Sequence, residues 1–323
     1  MRRFVRYLLS IIATAFMLIM VACQQEFVFD GPCEVRFVAE VQNEVNVTRA
    51  DGYTEITEDP GYDAGLFVSY GNTALEYSLQ WQGNALSADL YLEAGGYFFC
   101  GYAPQKNGVK FENRTNKLII NNVAGLTTED LLVINPCSTT ISLNDISAGG
   151  KTVSLQMDHL MAKVTPRFYI NGEYAKLRGI CITKVEFILD NAVTYTATID
   201  YNTTPYSKSW VGGVDDNCPR VEAVLFDAEQ STDSLLTEPV AYGECFLNPQ
   251  QTITGNLAMR VTYDVYDKHG TKVRPNQTAV NKIKKLPATL LAGTNYILNV
   301  QIVPTYLYVL SDDDEDSVLI IKD

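Results

Sequence analysis

The chain has 323 residues, 46% apolar and 20% charged, with a formal net charge of −13. Apolar residues run along its whole length, which excludes a disordered chain, and the length suits about two domains at roughly 100–200 residues each. The acidic balance, read as uninterrupted by any Lys/Arg cluster, excludes the basic footprint that nucleic-acid binding needs, so no nucleic acid is expected as a partner.

In chain order, residues 1–22 read as a lipoprotein signal peptide. Arg2, Arg3 and Arg6 give a positive start, and the uncharged run "YLLSIIATAFMLIMVA" (7–22) follows. That run is shorter than the ~20 residues of an ordinary membrane-spanning helix. It ends "MVAC" at Cys23, and small residues before such a cysteine resemble the bacterial lipobox, with Met20 where leucine is usual. The resemblance implies cleavage before Cys23 and acylation, as with palmitate, of its thiol and new amino terminus. Each buried acyl CH₂ contributes about 0.8 kcal/mol to membrane attachment. Removal of the segment leaves 22 basic and 38 acidic side chains.

The next runs alternate with a period of two, the pattern of half-buried strands. "VRFVAEV" places Val35, Phe37, Ala39 and Val41 on one face, and "NVTRADGY" then puts Arg49 in a polar segment. "LEYSLQW" aligns Leu75, Tyr77, Leu79 and Trp81 before a turn at "EAGG" (93–96). "TTEDLL" has the composition of one helical turn capped by Thr127 or Thr128. Gly149 and Gly150 in "SAGGKT" (147–152) break the pattern, so an N-terminal domain is expected over 23–150 and a C-terminal domain over 151–323.

Beyond that break the apolar face is Val153, Leu155 and Met157, then Leu160, Ala162 and Val164, of opposite parity. The slip predicts a β-bulge at Asp158 and His159, where the two side chains bond local backbone. A catalytic or metal-binding reading of this pair lacks partners. His269, in the turn "DKHG", is the only other histidine, no G-x-S-x-G elbow is present, and no ligand spacing for zinc occurs. No catalytic, cofactor-binding or metal residue is assigned, and the chain is not expected to be an enzyme. "VTYTATIDY" (193–201), the turn "LDNA" (189–192), "LAMRVTYDVY" (257–266) and "YILNVQIV" (296–303) continue the strand pattern, with "VNKIKKL" (280–286) as a second short helical candidate. "TYLYVL" (305–310) and "SVLII" (317–321) flank the acidic "SDDDED", which lacks the Gly-centred spacing of an EF-hand and reads as a solvated loop. Short strands separated by turns predict an all-β protein of sandwich type.

With Cys23 acylated, Cys33, Cys100, Cys137, Cys181, Cys218 and Cys245 remain. Cys100 and Cys181 lie among apolar residues and read as buried thiols; zero or one disulfide is expected.

Four stretches together resemble the fimbrillin family of Bacteroidales, the subunits of type V pili and their relatives. They are "AGGYFFCGYAP" (94–104), with Cys100 where a small residue is usual, "EDLLVI" (129–134), "VSLQMDHLMAKVTPRFYI" (153–170) and "LLAGTNYILNVQI" (290–302). The resemblance implies two tandem transthyretin-like β-sandwich domains and export as an outer-membrane lipoprotein, surface-exposed or in a fimbrium. It also implies proteolytic removal of the first strand, for which Arg49 is the candidate site, and filling of the vacated groove by C-terminal strands (305–323) of another subunit. The partners would be other fimbrial subunits, as homo- or hetero-polymer, the outer membrane through the lipid, and a surface ligand if the chain is a tip adhesin. The alternative is a surface glycan-binding lipoprotein, with Trp210 in "SKSWVGG" as an exposed sugar platform.

Overall fold

The computed structural model describes residues 31–42, 45–46, 53–55, 60–82, 85–170, 172–212, 220–228, 239–284, 286–302, 306–308 and 319–321. Residues 1–22, Cys23, Arg49 and Cys218 lie outside them. The chain is all-β, as its alternating runs require. Its first part forms β1 (Cys33–Gln42), β2 (Val45–Asn46), β3 (Tyr53–Glu55), β4 (Ala64–Tyr70), β5 (Thr73–Gln82), β6 (Ala85–Leu92), β7 (Gly95–Ala103), β8 (Val109–Glu112), β9 (Lys117–Ala124), β10 (Leu126–Thr127), β11 (Leu132–Ile141), the helix α1 (Leu143–Ser147) and β12 (Lys151–His159). The second part forms β13 (Ala162–Ile170), the single turn α2 (Gly172–Ala175), β14 (Arg178–Leu189), β15 (Thr194–Asp200), β16 (Ser207–Gly212), β17 (Val221–Asp227), β18 (Val240–Ala241), β19 (Cys245–Leu247), β20 (Leu257–Asp267), β21 (Lys272–Lys282), β22 (Thr294–Ile302), β23 (Tyr306–Tyr308) and β24 (Leu319–Ile321).

The first sheet runs β12-β11-β7-β4-β5-β6-β1-β3, and β12 pairs again with β1, so the sheet closes on itself. Its inner face buries Phe37, Leu66, Leu79, Phe99, Ile134 and Leu155. Its outer face carries Phe67, Cys100, Tyr102 and Val133, which pack with Leu118, Ile120, Ala197 and Ile199 of the sheet β16-β15-β9-β8. Both parts of the chain build that second sheet, because β9 pairs antiparallel with β15 from Lys117↔Asp200 to Ala124↔Thr194. A further core, around Phe168, Ile180, Phe187 and Leu247, lies between β10-β19-β13-β22-β2 and β17-β14-β20-β21. Two sheets enclosing interdigitated inner faces are the sandwich solution for strands with one apolar face.

Close backbone approach fixes one glycine. Gly101 of β7 stands against β4, and a Cβ there would overlap the Gly65 carbonyl oxygen. Only glycine permits this spacing without moving a strand.

The structure departs from sequence expectation at three places. The phase slip at Asp158 and His159 is not a bulge: β12 pairs without irregularity to β1 and to β11, through Leu132↔His159. The strand ends at His159, and the buried Leu160 and Met161 carry the chain to β13 in another sheet, so the parity changes because the sheet changes. Second, α1 and a turn occupy the stretch around "SAGGKT", and the strand after it, β12, belongs to the first sheet. Third, neither helical candidate is a helix. Thr127 Oγ1 accepts the Glu129 N–H (3.1 Å) and Asp130 Oδ1 accepts the Leu131 N–H (2.8 Å), which satisfies the backbone as a turn. Val280–Lys282 lies in β21. Helix α1 instead starts at a capping box: Ser142 Oγ accepts the Asp145 N–H (3.2 Å), and Asp145 accepts the Ser142 N–H (2.7 Å).

Candidate functional site

The site follows from how β1 is held. Val35, Phe37 and Ala39 are 2%, 0% and 0% exposed, while Arg36 between them is exposed and ion-paired to Glu34. One edge of β1 runs parallel to β12, with Phe37↔Val153, Ala39↔Leu155 and Val41↔Met157. The other edge is shared: Cys33–Phe37 pairs antiparallel with β6, with a shift between Val35 and Phe37, and Glu40–Gln42 pairs with β3. The Phe37 ring meets Phe99 edge-on at 5.7 Å and 73°. Full burial of Val35 and of Phe37 contributes about 1.5–3 kcal/mol each. The strand therefore fills a slot walled by β12 on one side and by β6 and β3 on the other, with the apolar inner face of the first sheet as its floor. An extended segment with apolar residues at every second position fits such a slot by main-chain pairing plus alternate pockets.

Asp158 and His159 lie at the end of β12, on the crossing to β13. His159 Nδ1 bonds the Asp130 carboxylate, and the Tyr206 hydroxyl donates to Asp158. Asn135 Nδ2 donates to Asp158 Oδ1 (3.1 Å), and Lys208 Nζ donates to the His159 carbonyl (3.4 Å). The expectation that the pair bonds local backbone is thus corrected: its side chains reach Asp130, Asn135 and Tyr206, tying the β10–β11 turn and the loop before β16 to β12. A polar group buried with its partners in place strengthens a packed crossing, and one left without them is costly. His269 is exposed in the turn after β20, where its N–H donates to Asp267 Oδ1 (2.8 Å). Among the described residues no group of three or more His, Cys, Asp or Glu has an arrangement for a metal ion.

The described cysteines Cys33, Cys100, Cys137, Cys181 and Cys245 carry free thiols. Burial pushes the Cys100 and Cys245 thiols well above the usual range, and burial, followed by nearby Asp145, raises Cys33. Trp210 is not a free platform: it is half-buried and meets Tyr195 edge-on at 6.3 Å and 87°. Trp81 packs partly against the first core, but Leu75 on the same expected face is 55% exposed.

The profile of a family described as fimbrillin-like matches residues 40–315. The chain belongs to the fimbrillin-like family. No curated protein matches it. Among solved structures, this fimbrillin-like protein is similar to a candidate cell adhesion protein from Bacteroides fragilis (15% identity, 90% of this chain and 97% of that one, TM-score 0.47). A second, from Bacteroides uniformis, has 16% identity over 83% and 94% of the two chains, with a TM-score of 0.45. A fimbrial protein from Bacteroides vulgatus has 13% identity over 83% and 95%, with a TM-score of 0.37. The family match begins inside β1. Three of the four stretches that carried the resemblance fall in β7, in and before β11, and in β12–β13, and the neighbouring strands β7, β11 and β12 lie on the β12 side of the slot.

Proposed function

We propose that this fimbrillin-like protein is a fimbrial structural subunit or tip adhesin, exported as an outer-membrane lipoprotein anchored through Cys23 and assembled by β-strand addition. In this reading β1 is a placeholder. Cleavage at Arg49 frees it, and the β23–β24 region of another subunit takes its slot. The observation that carries the reading is the seat of β1 itself: a strand buried by side chains at alternate positions and clasped on both edges, with Arg49 seven residues past its end. Support also comes from the C-terminal strands. β23 and β24 pair with each other, Tyr306↔Ile321 to Tyr308↔Leu319, in a two-stranded sheet apart from those of the second core. As part of the same proposal the chain works as two units, divided after His159 and not at 150, since β12 completes the first sheet.

The test is assembly of the mature chain trimmed by an Arg-specific protease, read as heat- and SDS-resistant ladders on a gel. Arg49→Ala should block trimming and ladder formation. Deletion of residues 305–323 should abolish ladders and leave the protein folded. A trimmed chain that never polymerises, or a deletion that unfolds the second core, would sink the reading in favour of a monomeric surface lipoprotein.

A further inference from the structure

The outermost strand β21 combines three observations made independently. The first is an open edge. Among the described residues β21 ends the sheet β17-β14-β20-β21 and pairs on one side only, with β20. Its start is blunted as exposed edges often are: Pro275 has no N–H, and Asn276 adopts a left-handed backbone with φ 54°. From Gln277 to Asn281 no proline, charge or bulge interrupts it. The register runs unbroken from Tyr263↔Gln277 to Ala258↔Lys282, and Val280 is 54% exposed.

The second is charge. Between Asp267 and Asp312 the sequence holds Lys268, Lys272, Arg274, Lys282, Lys284 and Lys285 and no acid. The acidity of the chain, expected to be uninterrupted, is interrupted here. Elsewhere several basic groups answer acids: Lys110 meets Glu112 at 2.9 Å, Lys163 meets Glu244 at 2.5 Å, and Arg260 bridges Glu186 and Glu222 at 3.3 and 3.2 Å. At the far end of β21 they do not. Lys282 Nζ donates to a neutral acceptor, the Gly255 carbonyl (2.6 Å). Lys284 is exposed and makes no ion pair with the described residues.

The third is position. Past Lys282 the Ile283 N–H bonds the Leu257 carbonyl, and the Gly293 N–H bonds the Met161 carbonyl at the crossing from β12 to β13. Lys282 and Lys284 thus precede the loop that returns to the junction with the first sheet. The chain leaves the second core from the opposite end of β22, at Ile302 beside Ile170. At about 3.3 Å per residue that end is roughly 25 Å away. The acids Asp312, Asp313, Asp314, Glu315 and Asp316 follow that exit.

We propose that the edge from Gln277 to Lys284 is a docking strip for the acidic run 312–316 of a second copy of this chain. Basic strip and acidic run belong to opposite ends of the second core, so one copy presents to the next what that copy accepts. Contacts of this head-to-tail kind build open chains, or rings where the rotation closes. Carboxylates approach the ammonium groups of Lys282 and Lys284, and the free main-chain groups from Gln277 to Lys282 receive the extended backbone. Departure of β1 is not required, so the contact stands or falls apart from the strand exchange proposed above.

A fluorescent peptide of residues 309–319 is titrated against the mature full-length chain at low ionic strength and followed by anisotropy. Binding is expected, weakened about tenfold or more by K282E/K284E and lost when the five acids of the peptide are replaced by Asn and Gln. No binding, or binding indifferent to the charge reversal, overturns the strip; a role in guarding the edge against aggregation alone gives that result. Zero-length carbodiimide cross-linking of a mixture of ¹⁴N- and ¹⁵N-labelled full chains then identifies the occupant. Cross-links of mixed isotope between the acidic run and Lys282 or Lys284 support a second copy, and links within single-isotope chains only overturn it.

Discussion

The detachability of β1 is open to a quantitative test through Phe37. Its ring is fully buried and touches Phe99 edge-on. Truncation of such a side chain to alanine costs about 3–5 kcal/mol, from lost transfer energy and the residual cavity. If β1 leaves its slot as a unit, that cost falls on the local opening equilibrium, which rises about tenfold for each 1.4 kcal/mol. Cys33, on the same strand and 1% exposed, reports the opening, because alkylation needs the thiol out of the core. Cys181, in β14 and fully buried in another sheet, is the control. Under native conditions Phe37→Ala should accelerate alkylation of Cys33, measured site by site by mass spectrometry, by about a hundred- to several-thousand-fold. Alkylation of Cys181 should stay at the wild-type rate. Equal acceleration at both cysteines would mean that β1 departs only when the whole molecule unfolds, and the slot would then be ordinary core.

Three further outcomes follow from the contacts. Gly101→Ala forces β7 away from the Gly65 carbonyl and should lower stability by about 1–3 kcal/mol in urea unfolding, as overpacking does; no change would show that the strands have room to part. His159→Gln should cost about 0.5–1.5 kcal/mol, a lost hydrogen bond, and leave the metal content of the purified protein unchanged, so a metal lost on substitution would contradict the structural role of the pair. The Asp145 carboxyl is held down to about 2 by the Ser142 hydroxyl and N–H, then by Lys151. Because the folded value lies below the ordinary one, the cap is fully formed above the usual carboxylate range and is lost as the pH falls through about 2. An NMR titration that places Asp145 near 3.8 would dissolve the capping box.

The sequence made some of this visible and hid the rest for identifiable reasons. Val35, Phe37 and Ala39, like Tyr195, Ala197 and Ile199, are buried as their alternation requires, because each belongs to a strand with one face on a core. Leu75 broke the rule: it is 55% exposed at the start of β5, a stretch that pairs with β4 but lies before the β5–β6 pairing from Gln80 to Gln82. The change of parity after Asp158 was legible, but a bulge and a strand break give the same local pattern, and only the partners of the next strand tell them apart. "SLND" (142–145) contains an N-cap serine with an acid three positions on, a helix signal masked because the apolar residues beyond it lack a helical period. The slot of β1 was readable as an amphipathic strand but not as a slot, since one wall, β12, comes from residues more than a hundred positions away and the other from both β3 and β6. The basic edge was obscured by a net charge that averages over the whole chain.

The sheet β16-β15-β9-β8 has a consequence for the order in which the chain acquires structure. Val35 finds its parallel partner only when Lys151 exists, and β9, which pairs early with β8, finds β15 on its other side only when Asp200 exists. Pairings this distant close large loops before they return any contact energy, and folding slows accordingly. Until about the first two hundred residues exist, the outer face of the first sheet, with Phe67, Tyr102 and Val133, has only β8 and β9 to pack against, and Ala197, Ile199 and Tyr201 are missing from its core. A chain laid down from its amino terminus therefore holds part of this apolar face open until β15 and β16 arrive.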